Sequence, residues 1–132
     1  MNPEELKSRT RAFALRTIRL AESLPDTPTA RVIRNQLLRS GTAVGANYRA
    51  ACRAKSKPDF VSKMGTVEEE ADETIYWIEL LIEAEIVNRS RMASLIDEAD
   101  QILSIVVTSI KTARGFKRPI RTPQSAILNL LT

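Results

Sequence analysis

The stretch that decides the fold is PDFVSKMGTVEEEADETIYWIELLIE, residues 58–83. Phe60, Met64, Val67, Ala71, Thr74, Ile78 and Leu81 recur at spacings of four and three, and Ile75 and Ile82 thicken the stripe. That rhythm places one apolar face along a helix and leaves the other faces to charge. Ser56 stands where an N-cap belongs, Pro58 is tolerated in a first turn, and Asp59 sits at N3. The pattern predicts a helix that opens at Ser56 and ends near Val87.

Three further segments share the rhythm. Upstream, Leu6, Phe13 and Leu20 repeat every seven residues, with Ala14, Ile18, Ala21 and Leu24 beside them. Asn2, Pro3 and Glu5 form a capping pattern, and Pro25 ends the run, so a helix is expected over 3–24. The next segment, 28–54, is capped by Asp26 or Thr27 and carries Ile33, Leu37, Ser40, Val44, Asn47 and Ala51. Gly41 and Gly45 fall inside it. Each costs a helix about 1 kcal/mol relative to alanine. Close approach of a neighbouring backbone would offset that cost; otherwise the segment is kinked or divided by a loop. Beyond Val87, Leu95, Ala99, Ile102, Val106, Ile110 and Ala113 define a last helix starting at Asn88 or Ser90. Gly115 suits its end.

Four helices of similar length joined by short turns imply an all-α, antiparallel, up-down four-helix bundle. The bundle is expected over residues 1–115. A basic C-terminal tail, 116–132, holds Pro119, Pro123 and three cations, and it either clips onto the bundle or stays disordered.

The 132 residues are 43% hydrophobic and 5% aromatic, and they contain one cysteine and no histidine. Histidine's absence removes Ser-His and Cys-His nucleophile pairs and most zinc sites. No phosphate-binding glycine loop occurs. The carboxylates Glu68 to Glu73 could attract a divalent cation, but only Glu69/Glu73 and Glu69/Asp72 share a face. No catalytic residue, metal or cofactor is therefore expected. Cys52 excludes an intrachain disulfide. Arg49 and Arg53 would lower a nearby thiol's pKa, although a small buried helix residue is the plainer expectation. Without an apolar leader or a run of ~20 apolar residues, a cytoplasmic protein with no membrane partner is expected.

Charge is segregated along the chain. Residues 1–57 carry +8, residues 58–100 carry −9, and the remainder carries +5. In an antiparallel hairpin turning near Ser56, facing residues have numbers adding to about 112. That register sets Arg39 beside Glu70 and Glu73, and Arg34 beside Glu79. The cations left over are Arg9, Arg11, Arg16 and Arg19 on the first helix and Arg49, Arg53, Lys55 and Lys57 after the second. They are either the candidates for an RNA or DNA surface, held mainly through phosphates, or solvated cations with no partner.

The run Gln-Leu-Leu-Arg-Ser-Gly-Thr-Ala-Val-Gly-Ala-Asn-Tyr (36–48), then Asp59-Phe60, then Glu68 to Glu73, then Tyr76-Trp77, resembles one bacterial family. Its members are four-helix bundle proteins first met in open reading frames of 23S rRNA intervening sequences. Accessory variability proteins of diversity-generating retroelements are related to them. The likeness covers about residues 5–113, in the branch with Ser-Gly-Thr-x-Val-Gly-Ala-Asn-Tyr. It implies a homopentameric ring or barrel, no enzyme activity and, for the retroelement relatives, binding of nucleic acid and a reverse transcriptase. It also implies structural work against helix-three acids for Arg39, Asn47 and Tyr48. On the residues' own account, Gly41 and Gly45 are expected as helix-packing positions and Trp77 at a core edge or subunit interface. The rival expectation is a module that docks a partner protein and has no nucleic-acid role.

Overall fold

Each helix begins where a short polar side chain can satisfy its free amides. In the computed structural model, which describes residues 1–115, Asn2 Oδ1 accepts from Glu5 N at 2.8 Å, Ser56 Oγ from Asp59 N at 3.1 Å, and Thr27 Oγ1 from Ala30 N at 3.2 Å. Asn88 accepts from Ser90 N at 2.8 Å. These caps open α1 (Pro3–Ser23), α2 (Pro28–Ala51), α3 (Lys57–Glu83) and α4 (Arg89–Ala113). Expectations for 116–132 lie outside the described residues.

Two ends fall short of the expected limits. The second helix stops at Ala51 rather than 54, and the third at Glu83 rather than near Val87. Glu85 adopts φ 60°, which turns the chain so that Ile86 N and Val87 N both reach Leu81 O, at 2.9 and 3.3 Å. Apolar periodicity continues through Ile86 and Val87, because both still pack on the core as partly buried residues after the helix has ended.

The helices run up and down in chain order. α1 packs on α2, α2 on α3 and α3 on α4, while α4 returns to α1 across a much thinner seam. The expected stripes form one core. Phe13, Leu37, Val44, Met64, Val67, Ile78, Leu81, Ile102 and Val106 are all fully buried. Removing that apolar surface from water, at about 25 cal/mol per Å², is what holds four otherwise marginal helices together.

Gly41 and Gly45 lie in one unbroken helix, so neither a kink nor a dividing loop is present. Both face α1. A Cβ on Gly41 would sit 2.8 Å from Thr17 Cβ and 2.9 Å from Thr17 Oγ1. One on Gly45 would lie 3.1 Å from Thr10 Oγ1 and 3.4 Å from the Thr10 carbonyl carbon. The close approach is thus made to two buried threonines, and at Gly45 it includes the Thr10 backbone. Thr10 and Thr17 occupy the α1 core positions between Leu6, Phe13 and Leu20. Their hydroxyls donate back to Lys7 O and Phe13 O, which makes burial tolerable.

Candidate nucleic-acid interface

The register between α2 and α3 consumes part of the charge. Arg39 Nη1 donates to Glu70 Oε1 at 3.1 Å, and its Nη2 pairs with Glu73. Glu73 also accepts from Trp77 Nε1 at 3.1 Å, which fixes Trp77 at the core edge. One step deeper, Thr74 and Ser40 share a buried hydrogen bond at 2.9 Å. Glu70 and Glu73 therefore act between helices, and among the described residues no group of three or more acidic or thiol side chains could hold a metal.

Several expected positions need correction. Arg34 makes no ion pair with Glu79, although both lie among the described residues. Asn47 donates to Ala43 O of its own helix at 2.8 Å and does not meet a helix-three acid. Nor does Tyr48, which is buried beside Cys52; burial, followed by the hydrogen bond to Cys52, raises its phenol pKa. Cys52 itself is exposed at the C-cap rather than buried, because α2 has already ended there.

The eight candidate cations do not make one surface. Arg9 is already engaged: Nε and Nη2 grip Glu98 at 3.0 and 2.6 Å, and Nη2 also reaches Gln101 at 3.0 Å. This fork closes the middle of the α1–α4 seam and raises the Arg9 pKa, chiefly through the Glu98 hydrogen bond. Arg16 donates to Ser94 Oγ at 3.0 Å, with Arg19 nearby on the same groove between α1 and α4. Arg11 and Arg49 belong to a different groove, on the α1–α2 side. Arg53, Lys55 and Lys57 continue from Arg49 around the turn into α3, at the end of the bundle where α1 begins.

At this second groove the close α1–α2 approach has a consequence. Thr42, Gly45 and Ala46 meet Ser8, Thr10 and Ala14 across a shallow trough of about 610 Å³, with Arg11 and Arg49 on its walls. Glu4 lies at one end and is taken by Lys7 at 3.3 Å. Arg11, Arg49, Arg53 and Lys57 are exposed and make no ion pair with a carboxylate among the described residues. Lys55 is exposed as well; its backbone N–H donates to Asp59 Oδ2, and its charge helps lower the Asp59 pKa, after the larger effect of the Lys63 hydrogen bond. No aromatic side chain lines the trough, so it offers guanidinium forks and hydroxyls but no platform for base stacking.

Fold and surface together define a small antiparallel helical bundle whose polar chemistry is spent on holding helices in register and on displaying cations. The 23S rRNA-intervening sequence protein family matches residues 4–108. The chain belongs to that family. A crystal structure of a protein with unknown function from the S23 ribosomal protein family of Bacteroides thetaiotaomicron VPI-5482 shares 36% identity and a TM-score of 0.78, covering 84% of this chain and 99% of that one. Among curated proteins none matches. No helix among the described residues is long and apolar enough to cross a membrane.

Proposed function

We propose that this protein is a non-enzymatic, cytoplasmic scaffold that assembles with copies of itself, as a pentamer, and holds RNA or DNA by its phosphates along the α1–α2 side. The observation that carries it is that Arg11 and Arg49 line one groove, with Arg53 and Lys57 following in the chain, all four exposed and without a carboxylate partner among the described residues, in a chain that pairs Arg9 and Arg39 so fully. Holding like charges together without counterions is unfavourable, and a phosphate chain relieves it. Arginine forks suit phosphate oxygens, and a trough without aromatics favours backbone contact over base readout. The resemblance described above supports self-assembly.

The test is retention of labelled single- and double-stranded oligonucleotides at about 50 and 200 mM salt. With four phosphate contacts, duplex affinity should fall about 10²-fold between the two. Arg49→Glu with Arg53→Glu should weaken binding to every sequence alike and flatten the salt slope by about 2. Arg9→Gln should loosen the α1–α4 seam and leave binding nearly unchanged. If no oligonucleotide is retained at low salt, the nucleic-acid role is wrong and docking of a partner protein takes its place.

A further inference from the structure

Two surfaces of this molecule complement each other and cannot meet within one copy. The first lies where the thin α1–α4 seam opens, at the end where α1 finishes and α4 begins. It is a groove of about 550 Å³ with Leu24, Val87 and Met92 in its floor and Arg16, Arg19 and Arg91 around it. Arg19 and Arg91 are exposed and reach no carboxylate among the described residues; Arg16 reaches only the Ser94 hydroxyl. An apolar floor distinguishes this groove from the α1–α2 trough. A phosphate chain has no use for such a floor, but a side chain with an apolar body does.

The second surface is the outward stripe of α3: Glu69, Asp72, Tyr76, Glu79 and Glu83, spaced three, four, three and four, and every one exposed. None of its four carboxylates has a cationic partner among the described residues. At its centre Tyr76 is 52% exposed, an unusual position for a large ring on a surface otherwise made of charge. Its edge rests on Trp77 with ring centres 5.0 Å apart, so the ring is braced rather than free to fold away.

We propose that the α3 stripe of one copy docks into the α1–α4 groove of a second copy, with Tyr76 seated on the apolar floor and Asp72 and Glu79 against Arg19 and Arg91. The inference rests on the self-assembly part of the proposed function and names the contact that would make it. Residues 116–132 do not suit the groove, since they carry Lys117, Arg118 and Arg121 and no acid. The second half of α3 runs toward the same end of the bundle as the groove, so neighbours would stand side by side rather than end to end. Because two different patches meet, the contact is heterologous. Each copy keeps one groove and one stripe, and growth continues until the chain of copies closes.

A charge exchange tests this. The solution mass of nuclease-treated full-length protein is measured by sedimentation for the wild type, for Arg19→Glu/Arg91→Glu, and for Asp72→Arg/Glu79→Arg. Each variant alone should fall to the mass of one copy, because the positions that face each other, 19 and 91 against 72 and 79, then carry the same sign. Combined in one chain, the four substitutions should restore the wild-type mass, because the facing positions are again opposite in sign at every contact of a ring of any size. All four positions are exposed, and helical circular dichroism checks that the variants fold. Tyr76→Ser, which alters no charge, should weaken assembly at least tenfold. If both charge variants keep the wild-type mass, assembly uses other surfaces and this contact is wrong while self-assembly stands. If the wild type is a single copy at every concentration, self-assembly and this contact fail together. If each pair dissociates the assembly but the fourfold variant does not recover, the contact is also overturned, since general repulsion or misfolding would then explain the loss.

Discussion

At the scale of single residues, the four glycines separate by what surrounds them. Gly65 lies inside α3 with nothing within 4 Å of where a Cβ would stand, whereas Gly41 is closed off by Thr17. Gly65→Ala should therefore raise stability by about 0.5–1 kcal/mol, as helix propensity and unfolded-state entropy dictate. Gly41→Ala gains the same propensity but must push a fully buried β-branched side chain, so a net loss of about 1–3 kcal/mol is expected. Gly45→Ala, with its nearest contact at 3.1 Å, should fall between them. Urea melts of the three variants and of Gly41→Ala/Thr17→Ala give the measurement; if the double variant loses as much as the sum of the two singles, the Gly41–Thr17 contact is not the cause. The sequence shows that Gly41 and Gly45 need an offset, but not what supplies it. Thr10 and Thr17 read as polar on an apolar-periodic helix, and only their hydrogen bonds to Lys7 O and Phe13 O explain why they can be core.

Between elements, the α2–α3 pair was legible and the α1–α4 pair was not, and turn length is the reason. A turn of known position fixes which residue numbers oppose each other, so Arg39 could be set against Glu70 and Glu73 from the chain alone. It also set Arg34 against Glu79, which fails, because register brings backbones together without deciding where a long exposed side chain goes. α1 and α4 are separated by two whole helices, so no turn sets their register and the Arg9–Glu98 fork stayed hidden among the free cations. The two layers of the α2–α3 contact should differ in strength. Arg39 is about half exposed, and its bridges lie within reach of solvent, so Arg39→Met should cost no more than about 1 kcal/mol. Thr74→Val keeps the shape but deprives Ser40 of a buried partner, and about 1–2 kcal/mol should be lost. Thermal melts at low and high salt check both: the Arg39 effect should shrink with salt and the Thr74 effect should not.

Over the whole molecule, charge is segregated by element: α1 and α2 carry an excess of cations, α3 an excess of acids, and α4 equal numbers of both. That arrangement carries an internal cost that can be measured at one place. Asp100 on α4 has its pKa raised, first by desolvation and then by Asp97 on its own helix and Asp72 on α3. A folded state that holds this proton more tightly than the unfolded chain is favoured below the unfolded pKa, and the advantage is lost as pH rises through the folded value. At neutral pH the ionised Asp100 therefore destabilises the bundle, and Asp100→Asn should raise the melting temperature there. At about pH 3, where an ordinary aspartate is mostly protonated, the difference from wild type should vanish. Asp59 runs the other way: Lys63's hydrogen bond and the Lys55 amide lower its pKa. Its stabilising effect is present above the unfolded value and lost as pH falls through the folded one, so Asp59→Asn should lower the melting temperature at pH 7 and do little in acid. Melting curves of both variants at the two pH values decide the matter. Equal shifts of one sign at pH 7 would mean that the opposite pKa directions of Asp59 and Asp100 do not carry through to stability. A shift for Asp100→Asn that persists undiminished at pH 3 would mean that packing, not charge, is responsible.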